Sequence, residues 1–203
     1  MRLRLLPLGL IISVVVSIPS LVLAYSSGTY GSGSYGSCEY GSVCSVTLIS
    51  NGNVSLNVTP TPSGNCTIQS DSASVQTDDT NGYTLTLADN GTNTSLINGA
   101  KTIAAGSGTF ASPAVLANSS WGYRVDGLGS FGSGPTTSQS NVSSSSNTFA
   151  AIEASNASAD TIAATSTAAD PAIATTVWYG VCADTSVTSG SYVTQVTYTA
   201  VAN

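Results

Sequence analysis

The chain has 203 residues, only 7% of them charged, with ten acids against four bases and no histidine. Two of the bases, Arg2 and Arg4, sit at the extreme N-terminus, so Lys101 and Arg124 are the only cations beyond it. Without a cation cluster to displace counterions, nucleic-acid binding and attraction to an anionic lipid surface are excluded, and without histidine so is any Ser-His-Asp triad.

In chain order, residues 1–24 read as a secretory leader. Arg2 and Arg4 precede the uncharged run LLPLGLIISVVVSIPSLVLA, and the small residues Val22 and Ala24 predict cleavage after Ala24. An uncleaved anchor is the competing reading, because the run approaches the roughly 20 residues that span a bilayer. Membrane contact is expected only through such a retained leader. Residues 25–37, YSSGTYGSGSYGS, are a flexible arm in composition, or else an arm whose tyrosines dock on a neighbouring subunit.

Residues 38–203 read as one domain. Period-two alternation puts Val46 and Leu48 on one face of CSVTLIS, Val54, Leu56 and Val58 on one face of NVSLNVT, and Tyr83, Leu85 and Leu87 inward in TNGYTLTLAD. CTIQSDSASVQTD is a weaker strand or a bent pair, and KTIAA a short strand. Residues 126–148 lack periodicity and are expected as a long exposed loop. TTVWYGVCAD and SYVTQVTYTAV are expected to pair as a closing hairpin. No segment shows helical spacing over three turns. The expected fold is all-β: an antiparallel two-sheet sandwich, Ig-like or Greek-key, of about eight or nine strands after an N-terminal signal helix.

Four cysteines in an exported chain read as two disulfides with three possible connectivities. Cys38 and Cys44 bracket a short loop, and Cys66 and Cys182 lie on distant strand-like runs, so Cys38–Cys44 with Cys66–Cys182 is preferred. The spacings lack the paired CxxC pattern of zinc sites. Trp178 shares parity with Cys182 and is expected to pack against that bridge, with Tyr179 on the opposite side. The terminal aromatics read as core rather than as a sugar-stacking platform.

GNCTIQSDSASVQTDDTNGYTLTLAD, NSSWGYRVDGLGSFGSGPT and TVWYGVCADTSVTSGSYVTQVTYTAV resemble segments of small exported proteins of Saccharibacteria-type, candidate-phylum bacteria. The resemblance implies an envelope or secreted setting and little chemistry. More distantly, the layout is similar to WxL-type and spore-coat-U-like surface domains, through its GYTLTL strand and its GSY…VTYT closing strand.

Candidate chemistry is sparse. Lys101 lacks a serine at S-x-x-K spacing, and Glu39 and Glu153 are the only glutamates. Asp78, Asp79 and Asp89 are weak calcium candidates, since they sit at turns but match no EF-hand loop. Arg124 and Asp126, in SSWGYRVDGLGSFG, form a candidate ligand or surface pair. Strand parity puts Trp121, Tyr123 and Val125 inward and Arg124 on the outer face, paired with an acid or stacked on a tyrosine. The chain is therefore expected to be a non-enzymatic, cofactor-free structural or adhesive protein of the cell surface, self-associating or binding other envelope components. The alternative is a secreted carbohydrate- or calcium-binding module.

Overall fold

Alternating branched apolar and small polar residues become fifteen strands and no helix among the described residues of the computed structural model. These are the backbone of 10–16 together with 44–143, 145–155 and 157–203. Of the leader, only β1 (Leu10–Val16) is described, and it is an extended strand. The arm at 25–37, Cys38 and Glu39 lie outside the described residues.

The first sheet centres on β4 (Asn65–Thr77) and β13 (Ala169–Ala183), antiparallel neighbours along nearly their whole length. The free edge of β4 is shared by β10 (Gln139–Val142) and β2 (Val46–Ser50). On its other side β13 pairs with β9 (Ser120–Val125), which runs parallel to β7 (Lys101–Ala105), and β7 pairs with β6 (Leu96–Asn98). The second sheet holds β12 (Asp160–Ala164), β5 (Tyr83–Asp89) and β15 (Gln195–Ala202) in antiparallel order. It continues through β1 to β14 (Ser191–Tyr192) and to β3 (Val54–Val58). A third, two-stranded ribbon joins β8 (Ala114–Val115) to β11 (Thr148–Phe149). A bridge between Ile97 and Val193 links the two large sheets at one edge, so the layers curl toward each other there.

Three expectations change. The sheets are mixed rather than antiparallel, because β7 runs parallel to β9 and β1 runs parallel to β14 and β15. The strands outnumber the eight or nine expected, because short strands of two to four residues (β6, β8, β10, β11 and β14) add to the longer ones. The two closing segments form no hairpin. β13 and β15 lie in different sheets and meet face to face across the core, where the Tyr179 and Tyr198 hydroxyls are 2.8 Å apart.

The predicted inward faces are buried. Val54, Leu56, Val58, Tyr83, Leu85 and Leu87 all join the main core, with Leu48 packed against it. Burying such side chains stabilises the fold by about 1.5–3 kcal/mol each and defines the register, because a one-residue slip would turn the whole set to solvent. Trp178, Tyr179, Tyr192 and Tyr198 are buried as well. Cys66 and Cys182 form the expected disulfide, between directly opposed residues of the adjacent strands β4 and β13. Trp178 lies on the bridge's face of the sheet, in a second cluster with Ile68, Phe149 and Leu116. Cys44 is disulfide-bonded too, and its expected partner, Cys38, lies outside the described residues.

Candidate functional site

β9 sits between β13 and β7, and both of its faces are covered. Trp121, Tyr123 and Val125 enter the main core, as their parity predicted. Arg124 takes the opposite face but is not at the surface, being only 1% exposed. The loop expected to be free folds back over it. Gly127, Gly129 and Gly132 supply the left-handed backbone, and the Gly127 amide donates to the Gly132 carbonyl. Phe131 and Phe149 then anchor the returning chain as buried residues.

Arg124 is consumed by this closure. Its Nε donates to Asp126 Oδ1 at 2.8 Å, its Nη1 to the Thr148 carbonyl at 3.1 Å, and its Nη2 to the Phe131 and Gly132 carbonyls at 2.9 and 3.2 Å. The guanidinium carbon stands 6.0 Å from the Phe149 ring centroid, a phenylalanine where a tyrosine was expected. The pairing with an acid matches expectation, and Asp126, partly exposed, is that acid. A planar fork with four of its donors turned on its own loop works as an internal clamp rather than as a ligand site.

The calcium candidates do not converge. Asp78 Oδ1 accepts from the Ser45 amide and Asp79 Oδ1 from the Asn81 amide. Asp89, at the far end of β5, accepts from the Gly91 amide and the Thr194 hydroxyl. Each carboxylate thus serves its own turn or a neighbouring strand. Among the described residues no three potential metal ligands gather.

Sequence reading missed two polar links across the core, whose partners lie far apart in the chain. The Tyr123 hydroxyl donates to Asp160 Oδ2 at 2.5 Å, joining β9 to β12. Burial, together with that bond and the Asp160 charge, pushes the Tyr123 phenol well above its usual range. Burial also raises the Asp160 pKa, opposed by the Tyr123 bond and reinforced by the charge of Glu153. In the second link, Tyr179 and Tyr198 meet beside Asp71, and burial raises all three pKa values. Asp71 Oδ1 accepts from the Asn51 and Ser72 amides. Its Oδ2 is buried without a hydrogen bond of good geometry, although the Tyr198 hydroxyl is near enough to hold the carboxyl's rise in check. The raised phenols keep their protons near neutral pH, so phenol hydroxyls hold both links between the sheets.

The outer face of the second sheet carries an open depression of about 220 Å³, lined by Thr86, Asn90, Ser155, Thr197 and Thr199 among others. Its hydroxyl and amide groups could hydrogen-bond a polyol, and it presents no aromatic face for stacking. Comparison with protein-family models, with curated proteins and with solved structures finds no match to this chain.

Proposed function

We propose that this is a non-enzymatic, exported protein of the cell surface, structural or adhesive in role, of the kind found in Saccharibacteria-type bacteria. The observation that carries the reading is the Cys66–Cys182 bridge, which closes a span of 116 residues between the two longest strands. Such bridges persist in oxidising compartments and are rare in the cytosol. The leader-like residues 1–24 agree with export. The reactive-looking side chains support a scaffold role, because Arg124, Tyr123, Asp160 and the Asp71 cluster tie strands and loops together. The two facing sheets, joined by the phenol links, support an Ig-like sandwich with added strands.

The test is imaging of intact host cells with an antibody to residues 44–203. A continuous layer or discrete filaments are expected. Signal confined to permeabilised cells would overturn the reading.

A second reading, a secreted carbohydrate-binding module, is favoured by the threonine-lined depression alone. It predicts a rise in Tm with a bound glycan that Thr197→Val abolishes. A flat response across a glycan panel would remove it.

A further inference from the structure

β1 occupies an unusual position. It is the only strand among the described residues that pairs with β3, through the antiparallel register Leu10↔Val58 to Val14↔Val54. Its other edge pairs in parallel with β14 at Ile11↔Ser191 and Ile12↔Tyr192, then with β15 at Val15↔Gln195 and Val16↔Val196. Residues 10–16 are therefore an interior strand that completes the second sheet, yet they belong to the segment whose sequence reads as a removable leader.

Removing that segment has defined consequences. Neighbouring strands lie about 4.8 Å apart, so losing one leaves a slot about 10 Å wide between β3 and the β14–β15 edge. β3 would lose its whole ladder, while Val54, Leu56 and Val58 remain sunk in the core. Two unpaired edges facing each other across one strand's width are a template for β-augmentation. No rim residue is charged: Val54 to Val58 line one side, with Ser191, Tyr192, Gln195 and Val196 on the other. The rim therefore offers no counter-charge to a charged strand, and the segment that fits it, LIISVVV, is uncharged and rich in branched aliphatics.

We propose that the place held by Leu10–Val16 is an acceptor slot, filled after export by an extended, uncharged, aliphatic strand of another polypeptide running antiparallel to β3. The proposal rests on the export reading in one respect, the removal of residues 1–24. The arm of a second copy is the rival occupant. Its residues 25–37 are rich in glycine and serine and contain none of the branched aliphatic residues that make up most of LIISVVV.

The test uses the full chain with a protease site inserted between Gly31 and Ser32, cut after folding. Three labelled peptides, each flanked by lysines for solubility, compete for the slot: residues 8–18, the same peptide with Ile12→Asp and Val14→Asp, and residues 25–37. The expected result is that residues 8–18 exchange with the cut leader in a saturable way. Amide exchange across Val54–Val58 should speed up by about tenfold or more when the leader is washed away and slow again with that peptide. Equal binding of the aspartate peptide, or β3 protection indifferent to any strand, overturns the proposal. Preferential binding of residues 25–37 overturns it in favour of self-assembly. N-terminal sequencing of the chain taken from its native cells must begin at Tyr25. A retained Met1 leader fills the slot permanently and also overturns the proposal. Surface imaging reads the export proposal separately, so the two can fail independently.

Discussion

Gly122 and Gly180 stand directly opposite each other on β9 and β13, and Phe149 and Ala150 occupy the space their missing side chains leave. A Cβ on Gly180 would lie 2.6 Å from Phe149 Cε1, and one on Gly122 would lie 2.5 Å from the Ala150 carbonyl oxygen. The obstacle is a side chain in the first case and backbone in the second. Gly180→Ala should therefore cost about 1–3 kcal/mol, and adding Phe149→Leu should recover part of that loss. Gly122→Ala should cost at least as much and gain nothing from the same second change. Urea denaturation of the parent, Phe149→Leu, both alanine variants and both doubles measures the two cycles, and equal rescue of both alanines would contradict this packing.

Arg124 is the pin that holds the loop after β9 to the sheet. Arg124→Met would strand the Phe131, Gly132 and Thr148 carbonyls and leave Asp126 unpaired. A loss of about 3 kcal/mol is expected, with faster proteolysis between 127 and 147. Arg124→Lys should restore little of it, because a single ammonium cannot match the spread of the guanidinium's donors. Limited proteolysis followed by mass spectrometry locates the cuts. A lysine variant as resistant as the parent would show that charge alone suffices.

Asp71 supplies a pH prediction. Burial, only partly offset by its backbone bonds, raises its carboxyl above the ordinary carboxylate range. The folded chain then binds more protons than the unfolded chain between the two pKa values, so this group's contribution to stability falls as pH rises through that window. Asp71→Asn keeps an acceptor for the Asn51 and Ser72 amides and carries no charge. It should raise Tm relative to the parent near about pH 7 and lose that advantage near about pH 4. Thermal melts across that range decide the matter, and a difference independent of pH would assign the effect to packing instead.

Cys66 and Cys182 lie near one end of the β4–β13 ladder. Their bridge closes a loop of 116 residues, which the chain-entropy model values at about 4–5 kcal/mol. Cys66→Ala with Cys182→Ala should lower the denaturant midpoint accordingly while leaving the strand content of the native baseline unchanged. An unchanged midpoint would mean that the long ladder alone holds the two strands together.

Much of this architecture was legible along the chain. The inward positions of β3 and β5 follow from alternation, and the partner of Cys66 from the placement of the other cysteines. The candidate site was read less well. Parity assigned Arg124 to the correct side of β9 but could not say what would cover that side, because the covering loop is polar and aperiodic apart from Phe131 and Phe149. The Tyr123–Asp160 and Tyr179–Tyr198 contacts each join the two sheets, and a period of two within a strand carries no information about a partner in the other layer.

By itself, then, the sequence determined the class of the fold, the buried faces of its strands and the residues available for covalent closure, because these depend on neighbours one or two positions away. Only the tertiary structure decided which strands pair, that the closing segments face each other instead of forming a hairpin, and that the lone arginine of the body is a buried clamp. It also placed Leu10–Val16 inside a sheet, between two edges that a strand-forming segment can satisfy at once. Hydrogen-bonded edges accept any strand of suitable chemistry, so pairing is settled by the packing of the whole chain.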